Sequence, residues 1–111
     1  MAEYVMMLWE NPTAFAAASP ADIEGIIQEY IAWREAMGAA GKITGGKKLR
    51  DEGGKHLKGG IVTDGPYAEV SEIVGGLFFV QARDYDEAVE IARSCPHLKF
   101  GWVELREVEP T

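Results

Sequence analysis

The sequence predicts an α+β domain in which two helices cover one face of an antiparallel β-sheet. Three observations support this fold class. An apolar, strand-like run opens the chain, two helical patterns lie far apart, and alternating apolar and charged residues close it. A chain of 111 residues has the size of one globular domain. We therefore expect a single domain over residues 1–111 with one core.

The first half of the chain predicts one strand and one long helix. Residues 3–9 predict a strand, because residues 4–9 are an unbroken apolar run, too short for a helix, which Asn11 and Pro12 end. Ser19 is suited to cap the helix, and Pro20 stands at its first position. Residues 38–41, rich in glycine, end it. Side chains at three- and four-residue spacing define its inward face: Ile23, Ile26, Ile27, Tyr30, Ile31, Arg34 and Met37.

The glycine-rich middle predicts a strand over residues 42–50 and a hairpin loop at residues 51–54. Residues 42–58 hold six basic and two acidic side chains, a local charge of +4 in a chain of net charge −7. One interpretation is an edge hairpin that its lysines protect from aggregation. The other is an electropositive lid, with Lys47 and Arg50 as binding residues, that attracts a small anionic substrate.

The second half predicts three strands and a second helix. Residues 61–63 form a short strand before a turn at Asp64, and residues 73–81 form a central strand, with a bulge or bend at Gly75 and Gly76. Residues 84–87 have the spacing of a capping box that opens the second helix, and Pro96 ends it. Its predicted inward stripe contains Ala88, Val89, Ile91, Ala92 and Cys95. Residues 102–108 alternate as a half-exposed terminal strand does.

These elements follow the order β-α-β-(β)-β-α-β, a ferredoxin-like arrangement with an extra hairpin. Both helices then lie on one face of the sheet. A chain of this length has nothing left to cover an apolar opposite face. We therefore expect a homodimer in which two copies pack sheet against sheet.

Composition limits the possible partners and the compartment. A net charge of −7 and a pI near 4.8 argue against nucleic acid as a partner, because a general binder needs a cationic surface. No apolar run reaches the ~20 residues that span a bilayer, and the first residues lack a secretory signal. We therefore expect no membrane association and a cytoplasmic location. The single cysteine, Cys95, allows no internal disulfide, which fits a reducing compartment.

The turn at Asp64 is the first candidate site. A carboxylate beside a rigid Gly65-Pro66 turn and an apolar strand would be partly desolvated, which raises its pKa toward the range useful in proton transfer. The alternative is an Asx-turn, in which the carboxylate bonds nearby backbone N–H groups. His97 is a candidate acid or base, or else a partner of a helix dipole. His56 lies in a loop that either covers a pocket or is simply exposed.

Aromatic residues are sufficient to line a substrate pocket, with Tyr4, Trp9 and Tyr67 as candidates, although core and interface positions explain them equally well. We expect no metal, because the two histidines and one cysteine do not cluster. We expect no cofactor, because the glycine pairs lack phosphate-binding spacing. Cys95 is predicted to be a buried, unreactive thiol.

The stretch from Asp64 to Glu72, DGPYAEVSE, resembles the DGPF (DGPFAETKE-like) branch of the YCII-related proteins. The resemblance extends through Gly75-Gly76, Phe78-Phe79-Val80, Cys95-Pro96-His97 and the closing VELREV. Two positions depart from the pattern: Tyr67 replaces a phenylalanine, and Val70-Ser71 replaces Thr-Lys, so any role of that lysine is absent.

The resemblance implies a dimeric α/β-barrel relative with a pocket between helix and sheet. It also implies a His-Asp pair as the catalytic element and a genetic link to extracytoplasmic-function sigma factors. Two functions follow as hypotheses. One is a cofactor-independent lyase or isomerase that moves a proton on a small anionic or aromatic compound, with Asp64, His97 and His56 as catalytic residues. The other is a non-enzymatic ligand-binding or regulatory protein in sigma-factor signalling.

Overall fold

A computed structural model describes residues 1–13, 15–65 and 72–111. Four antiparallel strands form the main sheet in the order β2-β5-β1-β6, and β3 pairs with β4 in a separate two-stranded sheet. This mixed α+β architecture is consistent with the predicted ferredoxin-like fold. In chain order the elements are β1 (Ala2–Glu10), α1 (Pro20–Ala39), β2 (Ile43–Lys48), β3 (Lys55–Lys58), β4 (Ile61–Asp64), β5 (Ile73–Ala82), α2 (Tyr85–Arg93), a 3₁₀ helix (Pro96–Lys99) and β6 (Gly101–Glu107).

The extra hairpin differs from the sequence interpretation. Its strands, β3 and β4, turn at Gly59 and Gly60, with Leu57 opposite Val62. Residues 51–54 do not close a hairpin, because β2 pairs with β5 instead. Gly53, Gly54 and Gly59 all have positive φ angles, so both segments satisfy the backbone requirement of a glycine turn. Glycine spacing alone therefore did not show which segment joins two paired strands.

The ends of α1 confirm the predicted helix. The Ser19 hydroxyl accepts from the Asp22 N–H at 3.1 Å, and the Asp22 carboxylate accepts from the Ser19 N–H at 3.2 Å, which is a reciprocal capping box. At the other end, Lys42 N–H donates to the Met37 carbonyl at 2.9 Å, and Gly41 has a φ of 72°. This pattern is the Schellman motif, which requires a left-handed residue after the helix.

The second helix is also confirmed, with one correction. The Asp84 carboxylate accepts from the Glu87 N–H at 2.9 Å, while Glu87 accepts from the Arg83 N–H, one residue before the expected partner. Ala88, Ile91, Ala92 and Cys95 are buried, but Val89 is 38% exposed. The buried residues follow i, i+3, i+4 and i+7 spacing, and position 89 lies outside that stripe.

The core lies between the helices and one face of the main sheet. Along β1, Tyr4, Met6 and Leu8 are buried against the helices, and the intervening side chains are half-buried on the other side. Trp33 of α1 packs edge-on against Phe78 of β5, with ring centroids 5.3 Å apart. The helices and the sheet therefore form two layers.

The opposite face of the main sheet carries a group of apolar side chains. Register and alternation place six of them there, which we call the open face: Val5, Met7, Trp9, Leu77, Phe79 and Trp102. The same register places the charged Glu104 opposite Met7 and Arg106 opposite Val5. The Trp9 and Trp102 rings stack at 5.3 Å, and Trp9 Nε1 donates to Glu104 at 3.0 Å. Among the described residues, neither helix is long and apolar enough to cross a membrane.

Candidate functional site

A cavity of about 540 Å³ lies between α1 and the main sheet. Its volume is within the range of small-molecule sites. Its walls are mostly apolar: Ile23, Ile27 and Ile31 come from α1, and Leu8 and Phe78 come from the sheet. A smaller hollow of about 270 Å³ beside α2 is lined largely by exposed charged side chains. The larger cavity also holds buried polar groups, so we assign the candidate site to it.

His97 is the first of these polar groups, and only 2% of its surface is exposed. Its Nε2 lies 2.7 Å from the Trp9 carbonyl oxygen, and its Nδ1 lies 2.8 Å from the Tyr30 hydroxyl. A carbonyl oxygen only accepts, so Nε2 carries the proton. In the neutral imidazole, Nδ1 then accepts from the Tyr30 hydroxyl. The three groups form a chain in which the Trp9 carbonyl orients His97, and His97 orients Tyr30.

Gly101 provides the space for this chain. A Cβ at position 101 would lie 2.0 Å from the Trp9 oxygen and 2.8 Å from His97 Nε2. Both distances are too short for a real side chain. The contact between the His97 ring and β1 therefore depends on glycine at the first residue of β6.

Tyr30 lines the cavity, and its hydroxyl bonds His97, which lines the cavity too. Burial, followed by the nearby Cys95 and Glu10 groups, raises the pKa of Tyr30 well above its usual value. The phenol therefore stays protonated at neutral pH. Because its proton is donated to His97, the lone pairs of its oxygen can accept a hydrogen bond from a ligand.

Glu10 is the second buried polar group, with 7% of its surface exposed. It ends β1 on the same face as Tyr4, Met6 and Leu8, which directs its carboxylate between sheet and helix. Its carboxylate lines the cavity and occupies the space above Gly75, where a Cβ would lie 1.8 Å from Oε1. Within the described ranges, no group forms a hydrogen bond or ion pair with this carboxylate.

Gly75 lies at the irregularity that the sequence predicted. The pairing of β1 with β5 shifts between Leu8 and Trp9, which leaves Gly75 without an opposite residue. The extra residue is a β-bulge. The bulge and the missing side chain together leave room for the Glu10 carboxylate.

Cationic groups surround the mouth of the cavity. The Arg34 guanidinium lies 5.8 Å from the centroid of the Phe78 ring, within cation–π range. Lys48 pairs with Asp51 at 2.8 Å, and Lys47 also lines the cavity. Arg50, the other basic residue predicted to bind substrate, is exposed in the following loop.

The remaining predicted residues lie in three places. Asp64 is on the hairpin, where its exposed carboxylate pairs with Lys55, and His56 is on the facing strand, opposite Thr63. In the part of the chain that the structure describes, no hydrogen bond or ion pair joins Asp64 to His97. Tyr4 is buried in the core, 4.8 Å from the Tyr85 ring. Tyr67 lies outside the described residues.

The Asp64 carboxylate is solvated, in contrast to the partly desolvated position that the sequence suggested. Its side chain is 86% exposed. Asp64 and His56 therefore belong to one hairpin, in adjacent strand pairs whose side chains point to opposite faces, while His97 and Lys47 both line the cavity. The roles of the two histidines and of Asp64 stay predictions.

Cys95 is buried, as predicted. Burial raises the pKa of its thiol to about 11, although the His97 backbone N–H opposes the shift. The thiol is therefore protonated at neutral pH and is a poor nucleophile.

Sequence reasoning missed Glu10 and assigned Tyr30 only to the helix stripe. A signal for Glu10 was present, because position 10 continues the alternation of positions 4, 6 and 8. The predicted strand ended at Trp9, so this acid was left outside it. Tyr30 had no comparable signal, since its partner His97 is 67 residues away.

Comparison with known proteins adds a family and a fold. One solved structure that resembles the chain is the 5-chloro-2-hydroxyhydroquinone dehydrochlorinase of Burkholderia phenoliruptrix, in complex with 2,5-dihydroxybenzoquinone. The match has a TM-score of 0.57 and 14% identity, and covers 96% of this chain and 93% of that one. No curated protein sequence matches significantly. The profile of the YCII-related domain matches residues 2–111, so the chain belongs to the YCII-related family.

Proposed function

We propose that this protein is a cofactor-independent enzyme of lyase or isomerase type, which moves a proton on a small aromatic or anionic compound. One observation carries the proposal: the buried Glu10 carboxylate shares an otherwise apolar cavity with the half-buried Tyr30 and its buried partner His97. A buried carboxylate without a hydrogen-bond partner is costly, so its position in the cavity favours a role with a ligand or in a reaction.

The chemistry assigned to the cavity is acid–base catalysis. Glu10 removes a proton from a substrate carbon, and the electron pair moves toward an adjacent carbonyl or ring oxygen. In an isomerase the proton returns to another carbon, whereas in a lyase the electron pair expels a leaving group. Tyr30, held by His97, accepts a hydrogen bond from a substrate hydroxyl and fixes the orientation of the ring.

The fold neighbour supports this reaction class. It is named as a dehydrochlorinase of a chlorinated aromatic compound, and loss of HCl is a lyase reaction. We also propose that the chain belongs to the DGPF branch of the family and that Asp64 and His56, together on the hairpin, contribute to the site.

Proton exchange provides the test. The protein is incubated in deuterium oxide with a panel of hydroxylated and chlorinated benzoates and quinones, and C–H exchange and chloride release are followed. We expect wild type to act on at least one compound, and Glu10→Gln to lower that rate by ~100-fold or more. Tyr30→Phe removes the hydroxyl that orients the ring, so it should mainly raise KM. Turnover that Glu10→Gln leaves intact would contradict this mechanism.

The hairpin roles need a separate comparison. If Asp64 or His56 takes part, Asp64→Asn or His56→Gln should lower the same rate by at least ~10-fold without lowering Tm. Lys58→Met on the same hairpin controls for loss of charge. A rate equal to wild type in both variants would remove the hairpin from the site.

A second candidate function has its own observation. Leu57 and Val62, which pair on one face of the hairpin, are 69% and 61% exposed, which is unusual for neighbouring apolar side chains. This patch favours a regulatory role, in which the cavity senses a ligand and the hairpin contacts a signalling protein such as a sigma factor. That function predicts ligand binding without turnover, and a partner contact that Leu57→Ser weakens.

A further inference from the structure

We infer that the cavity selects a single-ring acid with a hydrogen-bond donor at the end opposite its anionic group, as in 4-hydroxybenzoate. The inference rests on the cavity being the binding site in the proposed function. It adds the polarity of the ligand, which the arrangement of Glu10, Tyr30 and Arg34 specifies.

The inner end of the cavity presents hydrogen-bond acceptors. A carboxylate only accepts, and the Glu10 carboxylate forms no hydrogen bond or ion pair within the described residues. The Tyr30 oxygen has already committed its proton to His97 Nδ1 at 2.8 Å, so toward the cavity it also accepts. Only 7% of the Glu10 surface is exposed, so water satisfies little of its carboxylate. A ligand that enters this end must therefore donate a hydrogen bond, and the charge of Glu10 would repel an anionic group of the ligand.

The outer end presents donors. The Arg34 guanidinium lies over the Phe78 ring, and it forms no ion pair among the described residues. Lys48 lies at the same mouth but is already paired with Asp51. Lys47 pairs with Leu77, so its side chain is directed to the open face and away from the cavity. Arg34 is therefore the cation available to a ligand carboxylate, and its planar group suits a bidentate contact.

The two ends are one helical turn apart on α1. Tyr30 and Arg34 are four residues apart, or ~6 Å along the helix axis. A separation of this order suits a ligand with one benzene ring that carries its two polar groups in para positions. The isoleucines of α1 and the Phe78 face supply the apolar contact for such a ring.

A matched ligand series tests this polarity by isothermal titration calorimetry. The probes are 4-hydroxybenzoate, 4-methoxybenzoate, which lacks the donor, and 4-hydroxybenzyl alcohol, which lacks the anion. We expect wild type to bind 4-hydroxybenzoate at least ~10-fold more tightly than either analogue. Equal affinity for the hydroxy and methoxy acids, or no binding of any probe, would overturn the inference.

Variants assign each preference to its residue. Glu10→Leu fills the space with an apolar side chain, so the preference for hydroxyl over methoxy should disappear. Arg34→Met keeps an apolar stem over Phe78 and should remove the preference for acid over alcohol. Arg93→Met removes an exposed cation on α2, away from the cavity, so it is the control and should leave both ratios unchanged. If the control variant weakens acid binding as much as Arg34→Met does, the preference for the acid comes from general charge attraction and not from a direct contact with Arg34.

Failure of the proposed function is distinguishable from failure of this inference. Selective binding without proton exchange or chloride release removes the enzymatic proposal and leaves the ligand polarity standing. Turnover of aromatic compounds, without tighter binding of 4-hydroxybenzoate than of 4-methoxybenzoate, would support the enzymatic proposal and overturn the inferred ligand polarity. If Glu10→Leu does not fold, Gly75→Ala provides a second route, because its Cβ displaces the Glu10 carboxylate and should lower the hydroxyl preference.

Discussion

Two glycines explain, at the scale of single residues, how polar groups fit into an apolar site. Gly75 leaves room for the Glu10 carboxylate, and Gly101 leaves room for the hydrogen bond between His97 and the Trp9 carbonyl. The sequence predicted a backbone irregularity at Gly75 and named His97. It did not predict that each glycine faces a functional group, because those contacts join distant segments.

Gly75→Ala should lower the free energy of unfolding by about 1–3 kcal/mol, because the new methyl group collides with the Glu10 carboxylate. Gly25→Ala is the matched control, since it lies in α1 with nothing within 4 Å and should raise stability by about 0.5–1 kcal/mol. Urea denaturation measures both. Combined with Glu10→Ala, the cost of Gly75→Ala should shrink, and simple additivity would show that another contact is responsible.

The buried thiol of Cys95 predicts a pH dependence of stability. The pKa of the thiol is about 11 in the folded protein, against an ordinary value of 9.0 that applies to the unfolded chain. Above pH 9 the unfolded chain therefore loses this proton before the folded protein does. The stabilising effect of the neutral thiol is complete below pH 9 and is lost as the pH rises toward 11. The loss should be on the order of 2–3 kcal/mol. Denaturation at pH 8 to 11 measures it, and Cys95→Ala, which has no titrating group, should show a smaller decline.

At the scale of elements, capping hydrogen bonds fix both ends of α1, while its middle is loosely packed. The positions of its caps were predicted from Ser19 and from the glycine-rich residues 38–41, because capping depends on neighbouring residues, while the reciprocal Asp22 bond and the Schellman motif were seen in the structure. Within α1, Trp33 is the buried residue, while several of its isoleucines line the cavity. The helix stripe alone did not show this, since apolar spacing is the same for a packed core and for a ligand cavity.

Ser19→Ala should lower the free energy of unfolding by about 0.5–2 kcal/mol, because the Asp22 N–H loses its acceptor. Asp22→Ala removes the reciprocal bond to the Ser19 N–H. The double variant should lose less than the sum of the two, since each bond supports the other. Thermal and urea unfolding check the three variants. Full additivity would mean that the two bonds act independently.

At the scale of the whole molecule, the open face is the main unexplained surface. The molecule measures 41 × 39 × 18 Å, and the 18 Å dimension fits one layer of helices on one layer of sheet. The open face is therefore an outer surface that carries Trp9, Trp102, Met7 and Phe79. We propose that a second copy covers it. Trp9 would then connect the dimer interface to the candidate site, because its backbone carbonyl accepts a hydrogen bond from His97.

Met7→Glu should convert such a dimer to a monomer, because the new carboxylate would be buried in the interface directly opposite Glu104, with which it shares its charge sign. Sedimentation equilibrium across micromolar concentrations measures the change in mass. Val89→Glu is the control, because Val89 is partly exposed on α2 and lies on the helix side of the molecule. A monomeric wild type, or dimers that Met7→Glu leaves intact, would contradict the proposed interface.

The sequence by itself determined the two helices, the strands of the main sheet, the ends of α1 and the central place of β5. These features depend on local backbone preferences and on the periodicity of apolar residues, which neighbouring positions encode. Only the tertiary structure showed the exposed state of Asp64, the hairpin pairing of β3 with β4, and the meeting of Glu10, Tyr30 and His97. The physical reason is that such a site consists of contacts across 20 to 90 residues, whose formation depends on strand register and helix docking.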